Sequence, residues 1–107
     1  MSREVPDWQD AADNAYTYLH ERKRLFPPKA MWAVIDDLAI HGTVTQADMV
    51  ARHGTADFIA TTLGLVTTAL HGKGSVPPGG WYSTSKDPHT YIIHPAFAEA
   101  WKKKRRL

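Results

Sequence analysis

Apolar positions repeat first at helical and then at strand spacing along this chain. Trp8, Ala12, Ala15 and Leu19 form one stripe, with Tyr16 and Tyr18 at its edge, and predict a helix from about Asp7 to Leu25. Asp7 supplies an N-cap oxygen and Asp10 puts negative charge in the first turn, while Arg22, Lys23 and Arg24 suit the negative end of the dipole. Pro27 and Pro28 stop this helix, and Pro28 starts the next, which runs to about His41 with Met31, Ile35 and Leu38 on one face. Trp32, Val34 and Ala39 widen that face, and Gly42 sits where a left-handed cap is needed. Val44 is placed as a one-residue bridge to a later strand.

Thr45-Gln46-Ala47-Asp48 has the form of a capping box with Asp in place of Glu, and opens a short third helix ending at Gly54. Ala47, Val50 and Ala51 are expected to face inward. Thr55 or Asp57 caps a fourth helix, in which Ile59, Leu63, Val66 and Leu70 form the most regular stripe in the sequence. Gly64 interrupts it at a cost of roughly 1 kcal/mol against alanine, which close packing there or plain imperfection explains. Gly72 and Gly74 end this helix, and residues 75–80 form a turn-rich link. The period then changes to about two: Trp81–Thr84 and Thr90–His94 read as strands joined by a loop over Ser85–His89. Pro95 starts a last short helix with Ala96, Phe97, Ala100 and Trp101 as its packing residues.

The predicted fold is mainly α with a small β-hairpin. The order of elements, the stretch Thr45–Gly54 and the stripe ending at Leu70 resemble the positioning helix, turn glycine and recognition helix of the winged helix-turn-helix superfamily. The hairpin between Trp81 and His94 resembles its wing. The resemblance covers residues 29–94 within a single domain, flanked by an N-terminal helix (7–25), a C-terminal helix (95–101) and a basic tail (102–107). MarR-type regulators are similar in flanking the winged core with terminal helices that form a dimer. Plasmid RepL-type replication proteins are similar at Tyr91-Ile92-Ile93-His94-Pro95, with His in place of Asn. The family implies a DNA-binding protein: a small transcriptional regulator, or a plasmid or phage replication or partition accessory. Its partners would be double-stranded DNA and a second copy of the chain.

At 107 residues the chain fits one domain that hides roughly 65% of its unfolded surface. The absence of cysteine excludes disulfides and thiolate metal sites. No apolar run approaches a membrane span and no leader pattern opens the chain, so a cytoplasmic protein is expected.

Charge alters the functional picture more. The net +2 conceals a division, because Lys102, Lys103, Lys104, Arg105 and Arg106 hold five of the 13 basic residues and leave residues 1–101 at −3. Such a tail is either a solvated run or a phosphate contact. On the recognition helix Thr61, Thr62, Thr67 and Thr68 are placed on the exposed face, with Thr55 before it, His71 at its end and Lys73 beyond. A threonine face is either simply solvated or touches phosphates and thymine methyls, with less base discrimination than Arg, Lys, Asn or Gln. Lys86 and His89 in the wing loop are candidate backbone or minor-groove contacts.

Trp8, Leu19, Phe97 and Trp101 belong to the terminal helices, outside a self-sufficient core, and are assigned to a dimer seam. The six histidines show no i, i+4 pair and no His-Glu-x-x-His motif, so no metal or cofactor is expected. No catalytic set is visible, and the expectation is a non-enzyme. The acidic body and neutral threonine face suit, as the alternative, a winged-helix module that docks a protein.

Overall fold

In the computed structural model, which describes residues 7–72 and 80–107, the order is α1 (Trp8–Glu21), α2 (Pro28–His41), β1 (Thr43–Thr45), α3 (Gln46–His53), α4 (Ala56–Gly72), β2 (Tyr82–Ser85), β3 (Thr90–Ile93) and α5 (Pro95–Arg105). The protein is mainly helical, with one three-stranded antiparallel sheet ordered β1-β3-β2. Val44 lies opposite Tyr91, so the expected bridge is a three-residue strand at the sheet edge. The hairpin register sets Tyr82 opposite Ile93 and Ser85 opposite Thr90, one residue along from the expected first strand.

Local chemistry fixes the helix starts. Asp7 accepts from the Asp10 amide at 3.0 Å, Thr45 from Asp48 at 3.1 Å and Thr55 from Phe58 at 3.1 Å. Thr55 rather than Asp57 is therefore the cap of α4. Gly42 takes φ +80° and returns its N–H to Leu38 at 2.8 Å, a conformation that would strain a residue with a Cβ. Helix α1 ends at Glu21, short of the expected Leu25. Residues 22–24 are all basic and Leu25 is exposed, so further helix would bury nothing, and the chain turns toward Pro27.

Three expectations about helix faces are corrected. In α3 the inward residue is Met49, fully buried, whereas Ala47, Val50 and Ala51 are exposed. The true inner face is Gln46, Met49 and His53, whose polar members bond Tyr91 and Asp37, so hydrophobicity alone misplaces it. In α4 Ile59, Leu63, Val66 and Leu70 are buried as expected, but Thr62 joins them at 0% exposure. It sits three residues from Ile59 and four from Val66, and its hydroxyl donates to the Phe58 carbonyl at 2.9 Å, which makes burial tolerable. Gly64 is exposed and a Cβ there would meet nothing, so close packing is not its reason.

The C-terminal helix does not stop at Trp101. Lys102–Arg105 continue it, and Arg106 closes it in a left-handed cap whose N–H reaches the carbonyls of Lys102 and Lys103. Each of Lys102, Lys104 and Arg105 has an acidic partner within reach, which a solvated run would lack.

The core is shared by α1, α2, α4, α5 and the inner side of the sheet. Leu19, Phe97 and Trp101 are fully buried within the single chain, and Trp8 is half-buried with its ring stacked 4.4 Å from His94. The reasoning that the terminal helices lack core to bury against is thus overturned: they pack on each other and on α2 and α4. We expect Leu63→Ala to cost roughly 2–5 kcal/mol in urea unfolding. Thr61→Ala, on the exposed face, should fall within about 0.5 kcal/mol of the parent, and Thr62→Ala should lie between them.

Candidate nucleic-acid interface

Two contacts tie the hairpin to the helices, one to α3 and one to α4. The Gln46 amide donates to the His89 carbonyl at 2.8 Å, tying the hairpin loop to the start of α3. The Trp81 indole donates to the Thr67 hydroxyl at 3.0 Å, tying the start of the hairpin to the second half of α4. Beside the second contact lies an open groove of about 330 Å³ lined by Thr67, His71, Gly80, Trp81, Tyr82, Ser83 and Thr84. Burial raises the Tyr82 phenol above its usual pKa of 10.0, helped by the neighbouring Tyr91.

The expected site residues divide among these elements. Thr61 and Thr68 are exposed on α4, Thr67 is half-buried with its hydroxyl engaged by Trp81, and Thr62 is buried and offers nothing to a ligand. Thr55 is exposed but its oxygen serves the α4 cap. Lys86 and His89 are exposed in the hairpin loop. Lys73 lies outside the described residues. No lysine or arginine projects from the described part of α4, and Asp57 stands in its first turn.

The basic end is a separate surface. Arg105 grips Asp36 through two 3.0 Å bonds, which hold its guanidinium more firmly charged, and Trp101 donates to the same carboxylate at 2.7 Å. Lys104 reaches Asp13 at 3.6 Å and Lys102 reaches Glu99 at 2.8 Å. Lys103 and Arg106 are exposed and form no ion pair among the described residues.

No protein-family model, curated protein or solved structure matches this chain. Its function must therefore be argued from the faces themselves.

A cluster that sequence reading missed ties α2 to α3. Asp37 is buried in α2, and its carboxylate receives His41 at 2.8 Å, Arg52 at 3.0 Å and His53 at 2.7 Å. His41 shares its helix, whereas Arg52 and His53 come from α3, so one carboxylate locks α2 to α3. With Arg52 already on it, this carboxylate suits ion pairing rather than metal binding. The signal available in sequence was the i, i+4 spacing of Asp37 and His41, hidden by the adjacent Asp36.

Removing Asp37 would leave His53, which is largely covered, without its acceptor, whereas the exposed Arg52 and His41 can turn to water. Asp37→Ala should lower stability by about 1–3 kcal/mol, chiefly through the unpaired His53, and His41→Ala, at an exposed partner, should lower it less in the same urea melts. The raised Tyr82 pKa means that the folded state holds its phenolic proton more tightly than the unfolded state. Stability should be intact below pH 10 and fall as pH climbs from there toward the folded value. Ultraviolet titration should show a late phenol that Tyr82→Phe removes.

Proposed function

We propose that this chain is a DNA-binding winged-helix domain, acting as a small transcriptional regulator or as a replication or partition accessory of a plasmid or phage. The observation that carries the reading is the joining of α4 to the hairpin. A helix following a helix-turn corner is bonded through Thr67 to Trp81 at the base of a β2–β3 hairpin whose inner strand pairs with β1, and the hairpin loop is bonded to the start of α3, which supports a reading in which helix and loop act on one ligand. On that reading the helix enters the major groove and the loop meets the backbone or minor groove beside it. Thr61 and Thr68 are the α4 residues available to touch DNA, and Lys86 and His89 are the loop residues. Threonine hydroxyls bond phosphates and threonine methyls meet thymine, so this face would favour position over strong base discrimination.

A two-fold DNA site would call for a homodimer. Its seam would have to be built from exposed residues, since Leu19, Phe97 and Trp101 are enclosed.

One observation favours a second reading, a protein-docking module: the outward residues of the described α4 are neutral apart from Asp57. Gel-shift titration with random duplex DNA over a salt series separates the two. On the DNA reading the full chain shifts duplex at about 50 mM salt and loses affinity steeply toward 200 mM. Thr61→Ala with Thr68→Ala weakens binding by about 1 kcal/mol for each lost hydrogen bond, and Lys86→Ala changes preference among duplexes. Absence of any shift at low salt would transfer the assignment to protein docking.

A further inference from the structure

Helices α1 and α5 run side by side in the same direction. Trp8 lies against His94 and Phe97 near the start of each, and Asp13 of α1 lies 3.6 Å from Lys104 near the end of α5. Their C-termini therefore point to one end of the molecule, and α2 begins there, with Trp32 stacked 4.3 Å from Tyr16 and 6.1 Å from His20. The Arg105 guanidinium stands 5.1 Å above the Trp32 ring, and the Lys104 ammonium 5.0 Å from the Tyr16 ring.

This convergence sorts the charge of the chain. Residues 20–29 and 99–107, with the paired Asp13 and Asp36, contain nine of the 13 basic residues and four of the 11 acidic ones. That end carries +5, and the remainder of the chain carries −3. Two helix C-termini can each accept a cation, but the surplus exceeds what they use. Lys23, Arg24, Lys29, Lys103 and Arg106 are exposed and have no acidic partner among the described residues.

The α1–α2 loop of this end also adjoins α4. Phe26, in the α1–α2 loop, packs edge-on against Phe58 in the first turn of α4, with ring centroids 4.8 Å apart. The basic loop thus stands beside the N-terminus of the helix assigned to the duplex.

We propose that the α1–α2 loop, the first turn of α2 and the last turn of α5 form a phosphate-backbone contact that flanks α4 on the duplex. The inference rests on the reading that α4 faces DNA, and it assigns the affinity to a surface separate from the α4–hairpin face. The chemistry is sequence-independent. Trp32 is 8% exposed and covered by Arg105, so no base can stack there, and the polar groups that this surface offers to a ligand are cations, with Leu25 and Leu107 as its exposed apolar residues. An anionic membrane fits the surface less well. A helix lying in a lipid interface needs a free apolar face, whereas Phe97 and Trp101 of α5 are enclosed in the core. Coulombic attraction from the +5 end would capture the duplex and orient it, since the rest of the chain repels phosphate.

The test compares the full chain with Lys23→Glu/Lys29→Glu/Lys103→Glu, in which every altered residue is exposed, by fluorescence anisotropy on labelled duplexes of different sequence from about 50 to 300 mM salt. Unchanged circular dichroism and urea midpoint establish that the variant is folded. The expected result is a loss of more than about tenfold at low salt, equal for all duplexes, with the log–log salt slope flattened by about two to three at near 0.9 for each phosphate contact removed. Thr61→Ala/Thr68→Ala, in parallel, should leave that slope unchanged. A folded charge variant that binds with the parent's affinity and slope would overturn the inference while leaving the α4 reading standing. A parent that binds no duplex at low salt would overturn both. Binding to phosphatidylserine vesicles in place of duplex would likewise overturn the proposal.

Discussion

The arrangement depends most on the contact of α5 with α1 and α2, and that contact centres on Asp36. Its carboxylate accepts from the indole of Trp101, which is otherwise wholly buried, and from both arms of Arg105. A buried tryptophan needs an acceptor for its N–H, and a bidentate arginine holds a fixed direction. Together they set the rotation of α5 about its axis, carry Phe97 into the core and hold the last basic turn in a helix. Lys102, Lys104 and Arg105 are consequently paired groups on a helix rather than a loose run.

Asp37, the next residue, does a parallel task on the other side of α2. Adjacent positions on a helix point about 100° apart. One carboxylate therefore faces α5 and the other faces α3. Asp36 closes the terminal helix onto the core, while Asp37 fixes α3, and through its corner the start of α4. Two neighbouring acids that form no chemical pair thus hold both faces assigned to a ligand.

These constraints bear on the functional reading. The α4–hairpin face, proposed to read a groove, carries little charge, and the basic end carries charge but no free base-stacking aromatic. The two surfaces adjoin through the Phe26–Phe58 contact. The division suits a protein that gains affinity from one surface and register from another.

Much of the framework was legible in the sequence because it is encoded locally. Caps at Asp7, Thr45 and Thr55, prolines at 27 and 28, the glycine at 42 and the Ile59–Leu70 stripe act within a turn or two of chain, so they fix where helices begin, end and face. The change to a two-residue period marked the hairpin in the same way. The tertiary structure decided what depends on distant partners. The inner face of α3 is polar because Asp37 and Tyr91 await it. The last turn of α5 is helical because Asp13 and Asp36, far away in sequence, lie beside it. Periodicity reports which side chains avoid water on average, but a polar residue is buried wherever folding brings it a partner, and that partner is set by the packing of whole elements.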